Sequence, residues 1–259
     1  SSCRSLSSLS LPSSLLYIGN NAFGYCGFTC ELVLPKSLEY IGDSAFAGCD
    51  GLYGNLYLPE GLTYLGAFAF SNAHGLSGSI TIPEGITAIG DNVFNGCSGL
   101  NGTLTLPQNV TSIGESAFAH TGLKGELILP ETVQTIGYGA FQNCRFSGRL
   151  ILPNALQTIR DEAFAANSRL SGTLVIPEDV ISIGAGAFKY SGIEAVVFPK
   201  NLESIRSCAF LECFNLNRIV CKGEIPPYVQ SRALEGIPKE NFALEVPESA
   251  VAQYQAATG

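Results

Sequence analysis

Methionine and tryptophan are both absent from this sequence, histidine occurs only twice, and charged residues are only 14% of the chain. His74 and His120 lie far apart, with no serine or cysteine in a recognisable nucleophile setting, so no catalytic residue is expected. No paired C-x-x-C unit is present to hold zinc, and no metal or cofactor is implied. No apolar run approaches the roughly 18 residues of a spanning helix, which predicts no membrane insertion of this segment. The net charge of −8, the pI near 4.8 and the scattering of lysine and arginine along the chain argue against nucleic acid as a partner. The chain opens Ser-Ser-Cys-Arg, without an initiating methionine or a signal peptide. It therefore reads as a mature or excised piece of something longer.

What the chain has in abundance is one phrase, repeated nine times: apolar-x-apolar-Pro, then Ile-Gly or a variant, then Ala-Phe. The prolines run from Pro12 to Pro199 and the phenylalanines from Phe23 to Phe210, each phenylalanine 11 residues after its proline. The return from phenylalanine to the next proline drifts between 11 and 13 residues. A period of 22 to 24 residues predicts a solenoid, whose coils bury their apolar faces only against their neighbours. In the coil from Ser79 to Gly102, Ile80 and Ile82 alternate with Ser79 and Thr81, the period of a half-buried strand that Pro83 ends. Ile86, Ile89 and Phe94 point inward, and Gly90 turns the corner. Asp91, like Asn20, Asp43, Asp161 and Ser207, sits where an oxygen can cap a short helical turn. Strands about 4.8 Å apart put nine coils over roughly 43 Å of parallel sheet, expected on the concave side of a curved rod. Glycine recurs once per coil, as turns require, and forms no phosphate loop.

The phrases ITIPEGITAIGDNVFNGC, LTLPQNVTSIGESAFAHT and LILPETVQTIGYGAFQNC resemble the BspA-like class of leucine-rich repeats. The resemblance covers about residues 6 to 221. It implies a leucine-rich-repeat solenoid, a right-handed superhelix with a parallel sheet on its concave face and short strands, 3-10 or helical turns on its convex side. Departures are Arg160 and Arg206 in place of the glycine, and Ala73, Thr121, Asn167 and Ser191 in place of the cysteine. The expected organisation is an N-terminal stub over 1–5, nine repeats over 6–221 and a C-terminal cap over 222–259. That cap holds a last strand at Ala243 to Val246 and a short helix within Glu248 to Ala257. Members of this class are mostly surface or secreted proteins implicated in adhesion to host matrix proteins. The resemblance thus implies an extracellular, non-enzymatic binding module of bacterial type.

Cys26, Cys49, Cys97, Cys144 and Cys213 share one repeat position, which reads as a buried column rather than a disulfide framework. Cys3, Cys30, Cys208 and Cys221 fall outside it, and a disulfide near either end stays open. Two surface columns carry candidate chemistry. The outward strand position holds Tyr57, Thr81, Thr105, Ile128, Ile151, Val175 and Val197, hydroxylated at first and aliphatic from Ile128 onward. Contiguous exposed apolar surface marks partner sites, so these residues are the candidate ligand-binding face. The position after proline carries Glu60, Glu84, Glu131 and Glu178, an acidic edge with too few oxygens to hold calcium alone. A protein ligand, a glycan and a second copy of the chain are all compatible with this face. The alternatives are a structural spacer and an accessory region of a larger surface protein or enzyme.

Overall fold

Every coil begins where an inward aliphatic residue alternates with an outward one just before proline. A computed structural model describes residues 5–257, and in it these segments stack in parallel. Ile80–Thr81 pairs with Leu104–Thr105, Ile128 bridges Ile151, and Thr173–Val175, Ala195–Phe198, Arg218–Cys221 and Ala243–Glu245 form a four-stranded sheet. A second ladder lies at the residue pair before the Ile-Gly corner. Its rungs run Tyr17–Ile18, Tyr40–Ile41 and Tyr64–Leu65 in one sheet, then from Ala88–Ile89 to Tyr228–Val229 in a seven-stranded one. Counting these rungs gives ten coils, one more than the repeated phrase announces. Tyr228 and Val229 pair in register with Ser204 and Ile205 although Pro226-Pro227 precedes them, and Ala233 accepts the Phe210 amide as Ala209 accepts that of Phe188. Beyond them come a 3-10 turn at Glu248–Ala250 and a helix at Val251–Ala256, tied back by Tyr254 Oη donating to the Gly223 carbonyl at 3.1 Å.

The stretch around Ala-Phe is not helical. Two residues per coil, four apart, take left-handed backbone with φ between 51° and 82°: Asn21 and Tyr25, Asn92 and Gly96, Glu162 and Ala166. Such a conformation costs a non-glycine residue on the order of 1 kcal/mol. It turns alternate amides along the solenoid axis, so that Asn21, Phe23 and Tyr25 donate to the carbonyls of Asp43, Ala45 and Ala47 at 2.7, 2.8 and 2.6 Å. This third ladder repeats from coil to coil and offsets the cost.

The Asx oxygens do not cap their own turns, as the sequence pattern led one to expect. They cross to the next coil: Asn20 Oδ1 accepts the Asp43 amide, Asp43 Oδ1 that of Ala67, Asp91 Oδ1 that of Glu115, and Asp161 Oδ1 that of Ala185. Ser207 is on the receiving side, its amide donating to Gln230 Oε1 at 3.1 Å. At three corners the crossing oxygen, with the backbone that carries it, leaves no room for a side chain. A Cβ on Gly42, Gly66 or Gly114 would lie 2.4 to 2.5 Å from the crossing oxygen. Arg160 and Arg206 occur where the preceding coil carries Tyr138 or Ala185, neither of which sends an oxygen across.

Inside, the phenylalanines from Phe23 to Phe210 stack in one file with centroids 5.3 to 5.8 Å apart. Beside them runs the cysteine column. Cys49, Cys97, Cys144 and Cys213 donate their thiols to the carbonyls of Phe23, Phe70, Phe118 and Phe188 in the coil before, at 2.9 to 3.1 Å. Asn167 makes the same bond to the Phe141 carbonyl with its amide nitrogen, at 2.8 Å. Burial raises the thiols of Cys97 and Cys144 to about 12 and that of Cys49 to about 11, so they are packing groups and not nucleophiles. The eight cysteines of the described residues are free thiols. Cys3 lies outside those residues.

Candidate functional site

The strand before proline buries its flanking aliphatics and leaves the residue between them facing out. Tyr57 is 74% exposed, Ile128 65%, Ile151 62% and Val175 48%. Thr81 and Thr105 are exposed too and face each other across the ladder, whereas Val197 is half-buried. Val175, Val197 and Val220 are direct partners in successive rungs, and Ile128 is that of Ile151. The aliphatic column thus comes as two paired pieces, Ile128 with Ile151 and Val175 with Val197 and Val220, and the second ends at Glu245, held by a two-bond ion pair with Arg218 at 2.7 and 2.9 Å.

At its other end the face changes chemistry. Asn55 Nδ2 donates to Tyr57 Oη at 3.2 Å and Ser77 Oγ donates to Asn55 Oδ1 at 3.1 Å. The Thr103 amide donates to Ser79 Oγ at 3.0 Å. Asn55, Tyr57, Gly78, Ser79 and Thr81 line a cleft of about 440 Å³.

Glu60, Glu84, Glu131 and Glu178 are all exposed along one edge. Glu131 accepts the Asn154 amide at 3.0 Å. Glu178 accepts Lys222 Nζ at 2.6 Å, and that bond holds its carboxyl below the ordinary value. The edge is thus partly engaged within the chain. Among the described residues no cluster of three or more histidine, cysteine or acidic side chains is placed to hold a metal ion. His74 pairs with Asp50 and His120 with Asn143, each at 3.1 Å on the surface.

Two features escaped the reading of the repeat. Tyr17, Tyr40 and Tyr64 stack on the second ladder with centroids 4.2 and 4.5 Å apart. The contact with the Tyr17 hydroxyl, with some burial, pushes Tyr40 up to about 12. Their signal in the sequence is a shared repeat position, just before Ile18, Ile41 and Leu65 at the corner. The second is an asymmetry of charge: only Arg4 and Lys36, of fourteen lysines and arginines, precede residue 124.

No curated protein matches the chain. Among solved structures, a leucine-rich repeat protein from Bacteroides ovatus is 26% identical, with a TM-score of 0.70 over 98% of this chain and 70% of that one. A leucine rich cell surface protein from Faecalibacterium prausnitzii is 21% identical, covering 94% and 86%, and the pneumococcal vaccine antigen PcpA is 20% identical, covering 92% and 65%. Their TM-scores of 0.41 and 0.44 are too low to add to the argument. The BspA type leucine rich repeat model matches residues 1–101 and 101–217 in six copies. With matched repeats on both halves of a continuous stack of parallel coils, the chain belongs to the BspA type leucine-rich repeat family.

Proposed function

We propose that this solenoid is a non-enzymatic binding module of a surface or secreted protein, and that it recognises a protein ligand through the proline-side ladder face. Its family is typically non-catalytic, and the leucine-rich repeat protein from Bacteroides ovatus shares its fold. The observation that carries the reading is the run of aliphatic residues at one repeat position, Ile128, Ile151 and Val175, each at least 48% exposed. Covering such a column removes apolar surface from water at about 25 cal/mol per Å². β-Branched residues also suit strands on propensity alone, but propensity does not explain why the same position is hydroxylated in coils four and five. The test is charge placed in the column. Ile128→Glu and Ile151→Glu are expected to weaken binding to purified extracellular-matrix glycoproteins at least tenfold, or to dissolve a self-association seen by sedimentation. If both variants retain every interaction and the oligomeric state of the parent, the face is not the binding site and a spacer role takes its place.

A further inference from the structure

We infer a second, chemically distinct subsite on the same face, in the cleft beside Tyr57, built for a neutral sugar ring. It rests on this ladder being the face that binds, but it uses other coils and other side chains than the aliphatic column. The cleft is walled by the Tyr57 ring and by Asn55, Gly78, Ser79 and Thr81, and no side chain lining it is charged. The ring is tethered at its hydroxyl. Ser77 Oγ fixes Asn55 Oδ1 at 3.1 Å, which leaves Asn55 Nδ2 to donate to Tyr57 Oη at 3.2 Å. Gly78 makes room for that amide: its φ is +88°, and a Cβ there would lie 2.9 Å from Asn55 Oδ1. Ser79 Oγ accepts from the Thr103 amide at 3.0 Å and from the Thr103 hydroxyl at 3.3 Å, so its own proton is free to point into the cleft.

One exposed aromatic face, one oriented amide and two hydroxyls match a pyranose, which offers an apolar C–H face and a rim of hydroxyls that both donate and accept. An anion would find no cation here. A purely apolar ligand would cover Ser79 and Thr81 without satisfying them, which is costly. A peptide adding as a strand would find the flanking backbone already taken, since Leu56 donates to the Ser77 carbonyl at 3.2 Å and Ile80 to the Thr103 carbonyl at 2.9 Å.

The experiment titrates the intact chain with neutral gluco-, galacto-, manno- and N-acetylglucosamine oligosaccharides, and with oligogalacturonate as the anionic counterpart, by saturation-transfer NMR and calorimetry. At least one neutral oligosaccharide is expected to bind with Kd on the order of millimolar, as a ligand of that size allows. Tyr57→Ala should weaken it at least tenfold, Tyr57→Phe should keep it within about threefold, and Ile128→Glu should leave it unchanged. Circular dichroism checks that each variant is folded. Binding of the anionic oligosaccharide alone, of none of the neutral ones, or of a neutral one equally well by Tyr57→Ala overturns the subsite. Loss of a protein partner in Ile128→Glu without any sugar binding would leave the protein-binding face standing and remove only this inference.

Discussion

Cys97 and Cys144 sit in the interior with thiols raised to about 12 from an ordinary value of 9.0, and burial is the main cause in both. The sign of the pH dependence follows. Above pH 9 the unfolded chain loses these protons while the folded chain keeps them, so the unfolded state binds fewer and stability falls as pH rises. The fall is about 1.4 kcal/mol per pH unit for each thiol and ends near the folded value of about 12. Urea unfolding of the parent should therefore lose several kcal/mol between about pH 8 and pH 10.5. The double variant Cys97→Ala/Cys144→Ala starts less stable but should lose clearly less over the same range. Parallel losses would mean that the two thiols titrate alike in both states. The sequence placed these cysteines in the core by position alone. It did not show that each donates to a phenylalanine carbonyl of the neighbouring coil, because that bond joins residues such as Phe70 and Cys97 that no single repeat contains. The same cross-coil bond explains why Asn167 shares the column, although its Oδ1 is left without a partner, whereas Thr121 donates to Phe118 of its own coil.

At the scale of the coil, the corner glycine is required by its neighbour rather than by its own turn. Gly114 has Asp91 Oδ1 2.5 Å from where a Cβ would stand, whereas Gly90, which follows Ala67, has nothing nearer than 3.3 Å. Gly114→Ala should cost roughly 2–3 kcal/mol through overpacking. Gly90→Ala, in a backbone that tolerates a side chain, should stay within about 1 kcal/mol of the parent. Thermal melts of the two variants decide it, and equal effects would refute the close approach of the coil before Gly114, through Asp91 Oδ1 and the backbone beside it, as the cause. The same logic exposes a looser joint between the third and fourth coils. Ala67 sends no oxygen across, the second ladder is interrupted between Tyr64–Leu65 and Ala88–Ile89, and Val93 replaces the usual alanine. There the phenylalanine stack reaches its widest spacing, 5.8 Å between Phe70 and Phe94. Of the candidate face, the alternation around proline made the outward residues legible one by one. The cleft beside Tyr57 was not legible, because it forms only where the slack loop brings Gly78 against Asn55.

Taken as a whole, the molecule is a one-dimensional stack in which each coil touches little beyond its neighbours. The repeat made this architecture plain in the sequence. The tenth coil was hidden because leucine stands at position 234 where the other coils have phenylalanine, and because Pro226-Pro227 blurs the phrase, although the backbone pairing there is unbroken. Such a stack predicts that the cost of losing one core ring depends on how many neighbours it has. Phe118 is fully buried between Phe94 and Phe141, with centroids 5.5 Å away on either side. Phe23 ends the file: it stacks on Phe46 alone at 5.3 Å, meets Phe28 edge-on, and stays only half-buried. Phe118→Ala should therefore cost about 3–5 kcal/mol, and Phe23→Ala no more than roughly half of that. Because the central loss also cuts the coupling between the two halves, Phe118→Ala should broaden the urea transition or split it, while Phe23→Ala should shift a single transition. Circular dichroism across the urea series reads both quantities. Equal costs with unchanged steepness would show that stability is shared globally, and the nearest-neighbour account of this solenoid would have to be given up.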